Sequence, residues 1–298
     1  MVRSSPAIAP RRVPRGHNGV VAHSIPRTPR VALDAAQRAE LLAFAERTAR
    51  AAGDEILTRF RERLDVVNKL EDGRFDPVTE ADRRGEEIVR AAIDAEHPTH
   101  GILGEEFGHR EGDGLTWVID PIDGTRAFMT GMVHWGVLLG LFDGEQPVLG
   151  VMVQPYTGEV FTGDGESAWL TRGGVTRALE VRPCARLEDA SLCVSSPHFY
   201  TDPGELRDLG RLEREVRLTR YGGDCYIFAM LAAGQLDLVL ETGLNPYDIL
   251  PLIPIIRGAG GVVTDWAGGD GSMGGRILAA GDARLHGLTM DLLRGEQP

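Results

Sequence analysis

The stretch that most constrains this chain is Trp117 to Phe128, which reads WVIDPIDGTRAF. Leu115 to Ile119 is a short apolar run of the kind that makes a buried strand. It stops at Asp120, Pro121, Ile122 and Asp123, then turns through Gly124 into Thr125, Arg126, Ala127 and Phe128. Two carboxylates three residues apart cannot both face one side of a regular strand, because successive side chains alternate. Where a strand gives way to a helix, both can converge on one point in a cleft. Anions held that close repel unless a cation lies between them, so a divalent metal is the natural partner. An all-oxygen ligand set favours Mg²⁺ over Zn²⁺. Gly124 permits an unusual backbone angle and a close approach. The free N–H groups at the helix start that follows would suit a phosphate. Metal and phosphate at one turn make a phosphoryl-transfer site. An isolated DxxD is also an ordinary solvated turn, so the rest of the chain must decide.

At 298 residues the chain makes one large domain or two closely joined halves. An apolar content of 42% beside 26% charged residues describes an ordinary globular protein. No run approaches the roughly 18 apolar residues of a membrane span, and no secretory signal is visible. Cys184, Cys193 and Cys225 are odd in number and lack CxxC spacing, which argues against a disulfide framework or a zinc site. A cytoplasmic location is expected. The net charge of −12 argues against nucleic-acid binding, and an anionic substrate would need local positive charge such as bound metal. Before Asp34 there are six arginines and no acidic residue. Residues 1–30, rich in arginine and proline and without apolar periodicity, are expected to be disordered and outside the fold. Residues 31–298 then form the folded body, with halves at about 31–185 and 186–298.

A helical pattern runs from Asp34 to Arg63, with an apolar stripe through Leu41, Phe44, Ala45, Ala49, Ala52, Ile56 and Phe60. Thr79 and Asp82 fit a capping box opening a second helix through Ala95. Asp76, just before it, could point into the same cleft as the acidic turn. In GILGEEFG, a short strand ends at Glu105 and Glu106. Adjacent side chains of an extended chain diverge, so at most one of the two is a metal ligand and the other is a supporting or solvated residue. Strands at 135–142, 147–153, 159–162 and 167–171 suggest an antiparallel meander. From Ala190 strands alternate with helices, the pattern of an α/β layer. A third carboxylate, Asp248, follows the helix-starting pair Asn245 and Pro246. The helix expected from Pro246 to Gly258 contains Pro251 and Pro254, which should distort it.

Together GEE, DPIDGT and a late aromatic-Asp followed by AGG resemble the inositol monophosphatase superfamily of Mg²⁺-dependent, lithium-sensitive phosphatases. The resemblance covers about residues 34 to 295. It implies a layered αβαβα sandwich with its metal cleft between the halves, two or three Mg²⁺ ions per site, a small phosphate monoester as substrate, and a homodimer. On this resemblance Glu105, Asp120, Asp123, Asp248 and the Ile122 carbonyl are metal ligands, with Asp120 bridging two ions. Gly124 and Thr125 would hold phosphate through backbone N–H. The Thr125 hydroxyl, with Asp76, would activate water. Tyr247 departs from the tryptophan most members carry, which should alter packing and not ligation.

Within the superfamily, DGTRAF with Arg126, RYGGDCY from Arg220 to Tyr226, NPYD and ILAAGD look like the histidinol-phosphatase branch of histidine biosynthesis. Glu241, at the position that meets substrate hydroxyls, and Asp224, at the mouth of the site, could both accept from an ammonium or imidazole. Asp224 would equally serve as a helix N-cap. The alternatives are an inositol-1-phosphate or broad sugar-phosphate phosphatase, and a catalytically idle homologue on the same scaffold. A nucleotide 3′-phosphatase or fructose-bisphosphatase would need a second basic cluster, which is not evident.

Overall fold

The computed structural model describes residues 25–63, 66–68 and 77–295. Helical spacing of apolar residues builds the first outer layer. Helix α1 (Ala35–Leu57) starts at Asp34, whose carboxylate accepts from Gln37 N–H at 2.9 Å while the Gln37 side chain accepts from Asp34 N–H. It buries Phe44, Ala45, Ala49, Ala52 and Ile56, and ends at Leu57, short of the expected Arg63. Strands β1 (Val66–Asn68) and β2 (Pro77–Thr79) pair antiparallel. Helix α2 (Glu80–Glu96) opens with the expected Thr79 and Asp82 capping box.

Eight strands follow: β3 (Gly101–Gly104), β4 (Gly108–Arg110), β5 (Thr116–Asp123), β6 (Gly136–Phe142), β7 (Pro147–Gln154), β8 (Glu159–Gly163), β9 (Ala168–Arg172) and β10 (Val175–Ala178). The five-residue helix α3 (Thr125–Met129) lies between β5 and β6. They form one sheet in the order β10-β9-β8-β7-β6-β5-β3-β4. The meander is antiparallel as expected; β3 joins β5 in parallel. Strands β4 and β10 are additions, short and without an apolar alternation that could announce them.

The remaining elements are β11 (Ser191–Val194), α4 (Pro203–Glu215), β12 (Leu218–Tyr221), α5 (Asp224–Ala232), β13 (Leu238–Leu244), α6 (Pro246–Ile249), α7 (Leu252–Gly258), β14 (Val262–Asp265), β15 (Gly275–Ala280) and α8 (Ala283–Arg294). Their strands make a second sheet, β12-β11-β13-β15-β14. Alternation within each strand sets the layering. Val137, Leu139, Leu141, Val151 and Val153 face α1 and α2. Leu138, Met152 and Phe161 face the other way, onto α5, α7 and the second sheet through Val239, Val263 and Ala279. Leu192, Leu240 and Leu278 face α4 and α8 through Leu209, Leu212 and Leu285. Each such side chain, fully buried, contributes about 1.5–3 kcal/mol. The result is the αβαβα sandwich, with both sheets covered on both faces.

Two expectations change. The helix over Pro246 to Gly258 is two helices. Pro251 is the N-cap of α7 and Pro254 lies in its first turn, where a backbone N–H has no intrahelical acceptor to lose. The elbow rests on bare glycines: a Cβ at Gly140 would lie 2.9 Å from Pro251 Cα. Residues 25–30, expected to lie outside the fold, are packed onto it. Ile25 is 3% exposed, and Arg27 and Arg30 pair with Asp270 and Asp143. The proline and arginine that suggested disorder serve instead as an extended strap with ionic anchors.

Candidate metal and phosphate site

The acidic stretch converges through a defect in β5. Asp120 pairs with Leu138 and Asp123 with Gly136, so three steps on β5 face two on β6. The extra residue is a β-bulge, and it brings to one side two carboxylates that a regular strand would send to opposite faces. The convergence lies within the strand itself, whereas the sequence placed it past the strand's end. Ile122 N–H donates to Asp120 Oδ1 at 3.0 Å, and the Thr125 hydroxyl donates to the Ile122 carbonyl at 3.0 Å. Gly124 has φ +88, and a Cβ there would lie 2.7 Å from the His134 carbonyl oxygen and 3.2 Å from Asp224 Cβ. Only glycine passes this point.

Asp248 comes from the second half, in the first turn of α6. Its Oδ2 accepts from Asn245 N–H at 2.7 Å, which fixes the carboxylate's direction. Carboxylate oxygens of Asp120, Asp123 and Asp248 lie within 4.8 Å of one another. Glu105, just past β3, shares a hydrogen bond with Asp120. Burial, then the charges of Glu105, Asp123 and Asp248, push the Asp120 carboxyl well above the usual carboxylate range. Asp123 is pushed up by burial, Asp248 and Asp224. Asp248 rises to about 7, burial again first. Converging oxygen ligands that repel one another fit a hard divalent cation, which would remove the repulsion.

The opposite wall belongs to the second half. Helix α5 points its start at the acids, and Cys225 N–H donates to Asp123 Oδ1 at 3.1 Å. Asp224 does not cap this helix: Gly223 holds the cap position and Asp224 stands at φ +41, a left-handed conformation rare for a residue with a side chain. Its carboxyl is raised to about 6 by burial, against the lowering charges of His134 and Arg126. Glu241, 1% exposed, accepts from Ser195 N–H through Oε1, while Oε2 has no hydrogen-bond partner. Burial lifts it to about 8, with Asp224 adding to the rise. Exposed Arg126 sits at the rim, its guanidinium 4.8 Å from the Phe199 ring centre, joining one half to the other. Asp76 lies outside the described residues.

One contributor escaped the sequence reading. Glu86, fully buried on α2, accepts from Glu106 N–H at 2.7 Å and Phe107 N–H at 3.2 Å, and pairs with Arg90 at 2.7 Å. It thus holds the turn that carries Glu105. Gly104 permits this, since a Cβ there would lie 1.8 Å from Glu86 Oε1. In the sequence Glu86 and Arg90 look like an ordinary i,i+4 surface pair.

A sequence model described as the inositol monophosphatase family matches residues 37–297. The chain is 37% identical over 255 residues to the chloroplastic bifunctional phosphatase IMPL2 of Arabidopsis thaliana, covering 82% of this chain and 72% of that one. It is 32% identical over 259 residues to a histidinol-phosphatase of Chlorobaculum parvum, covering 86% and 98%. An inositol monophosphatase from Zymomonas mobilis superposes with a TM-score of 0.77 at 34% identity, covering 88% of this chain and 100% of that one. With these matches and the acid cluster on the expected elements, the chain belongs to the inositol monophosphatase family, whose enzymes are metal-dependent phosphatases.

Proposed function

We propose that the protein hydrolyses L-histidinol phosphate to L-histidinol and phosphate, using two or three Mg²⁺ ions, in histidine biosynthesis. The observation that carries the substrate reading is the buried Glu241 with the half-buried Asp224 beside it. Glu241 Oε2 is buried without a partner, and Asp224 stands close enough to raise it electrostatically. A neutral polyol would leave Glu241 in its burial-favoured protonated form, whereas an ammonium or imidazolium would favour the ionised carboxylate and pair with it and with Asp224. Relatives named histidinol-phosphatase support the same reading.

Glu105, Asp120, Asp123, Asp248 and the Ile122 carbonyl would hold the ions. Bound there, divalent ions lower the pKa of water and stabilise charge on the transferring phosphoryl group. Gly124 and Thr125 N–H groups would orient the phosphate oxygens, with Arg126 at the rim. The Thr125 hydroxyl donates to the Ile122 carbonyl, which leaves its oxygen lone pairs to accept a hydrogen bond from the attacking water. To relay that proton the hydroxyl would turn its own proton from Ile122 to Asp76 as it takes the one from water. The decisive comparison is phosphate release with Mg²⁺ from L-histidinol phosphate and from inositol 1-phosphate. A preference of about 100-fold or more for the former is expected, the scale set by leaving buried polar groups unpaired. Comparable or inverted rates would remove the histidinol assignment and leave a broad phosphomonoesterase. A homodimer is part of the same proposal.

A further inference from the structure

We infer that the strap of residues 25–33 buttresses the metal ligands from behind and thereby sets the site's affinity for divalent ions. This rests on the metal reading above. The strap precedes residue 37, where the family match begins. Ile25 closes a small apolar cluster with Leu103, Val118, Phe142, Tyr247 and Leu250. Three of those residues root the ligands. Leu103 lies two positions before Glu105, Val118 two before Asp120, and Tyr247 immediately before Asp248. The three elements come from both halves of the chain, and Ile25 seals the core in which they meet.

The strap is fastened at several points along its length. Arg27 pairs with Asp270 at 2.8 Å, Thr28 N–H donates to the Gly144 carbonyl at 3.2 Å, and Val31 N–H to the Asp143 carbonyl at 2.8 Å. Arg30 Nε meets Asp143 Oδ2 at 2.9 Å, and the Asp143 carboxylate is fully buried. The seat is shaped for it: a Cβ at Gly144 would lie 2.4 Å from Thr28 Oγ1, and one at Gly114 2.9 Å from Val31 Cγ2. Packed interiors pass a void on to their neighbours as a shift. Ligand atoms tolerate displacements of only a fraction of an ångström. A void behind Leu103, Val118 and Tyr247 would therefore loosen three ligands together.

The test uses the full chain and Mn²⁺ alone as probe, with bound ion read by electron paramagnetic resonance and melting followed in a chelator. Ile25→Ala should weaken Mn²⁺ binding about tenfold, the low edge of the effect of outer supports of metal ligands. Arg30→Gln should weaken it in the same direction, and Ile25→Leu should restore it to within about twofold. Leu285→Ala, in the core between α8 and the second sheet, should lower the melting temperature and leave Mn²⁺ affinity unchanged. Unaltered affinity in both Ile25→Ala and Arg30→Gln, or equal weakening in Leu285→Ala, would overturn the inference. If Ile25→Ala does not fold, Arg30→Gln decides, since that side chain is 47% exposed. Wild-type protein that binds no Mn²⁺, or binds it as tightly with Asp120→Asn, would overturn the metal reading instead.

Discussion

The molecule buries carboxylates in two different ways. Asp143, Asp237 and Glu86, each no more than 1% exposed, all have an arginine and backbone donors. Asp237 takes Arg182 Nε at 2.6 Å and Ser191 N–H at 2.7 Å. Asp143 takes Arg30, Glu145 N–H and Gln146 N–H. Asp120 and Glu241, 2% and 1% exposed, are nearly as deeply buried, yet the hydrogen bonds they accept come from the backbone N–H groups of Ile122 and Ser195 and not from an arginine. Around Asp120 the nearest charges are carboxylates. Paired acids are mortar. The acids that face one another are the place where the fold has left its electrostatics incomplete, and a bound cation would complete them.

The largest effect should come from exchanging the two classes. Asp120→Asn is expected to cut phosphate release by on the order of 10³-fold, the scale of losing one member of a cooperating catalytic set. In chelator at pH 8 the same variant should melt about 3–6 °C higher, because a repulsive charge has gone. Asp237→Ala should do the reverse. It leaves the buried Ser191 N–H without its acceptor and the half-exposed Arg182 without its partner, costs about 1–3 kcal/mol and lowers the melting temperature by roughly 3–8 °C. Activity per folded molecule should be kept. Calorimetry and phosphate release on both variants check this, and a metal-free Asp120→Asn that melts lower would break the comparison.

The second effect is a pH dependence of the metal-free protein. Asp248 at about 7 and Glu241 at about 8 are raised above their unfolded values. Near pH ~3, below both unfolded values, these carboxyls are neutral in the folded state and largely so in the unfolded one, so burial carries no charge penalty. As pH rises from there through 7 and 8, the unfolded chain ionises first and the folded state loses stability relative to it. Metal-free melting temperature should therefore fall by several degrees between about pH 5 and pH 8.5, and saturating Mg²⁺ should abolish the share owed to the ligand Asp248 while leaving that of Glu241. A metal-free profile that rises over this range would remove the repulsion argument.

The two classes were not equally legible in the sequence. The acids of the site announce themselves as short motifs, and the elements carrying them follow from local signals: the apolar run before Asp120, the Thr79 and Asp82 cap, the Asn245 and Pro246 helix start. The paired acids do not, because their partners are remote. Asp143 finds Arg30 and Asp237 finds Arg182 only in the folded chain, and Arg30 lay in a stretch whose composition suggested disorder. The bulge that turns Asp120 and Asp123 to one side depends on the register of β5 against β6, a long-range property. The proline elbow likewise depends on bare glycines in β6 and β7 that lie more than a hundred residues earlier.

Glu241 belongs to both classes, and the smallest predicted effect tests which half of it matters. Oε1 is satisfied by Ser195 N–H, as in the paired acids, while Oε2 is bare, as in the site. Glu241→Gln keeps the shape and an acceptor for Ser195, and removes only the capacity for charge. If the bare oxygen awaits a substrate cation, KM for L-histidinol phosphate should rise about tenfold, a loss of roughly 1.4 kcal/mol, with kcat nearly unchanged. Inositol 1-phosphate, which offers hydroxyls alone, should lose much less. The pH profile of KM should also flatten near 8, where the wild-type carboxyl takes up its charge. Equal losses on both substrates would make Glu241 a structural acid like Asp237, with a vacant lone pair and no say in specificity.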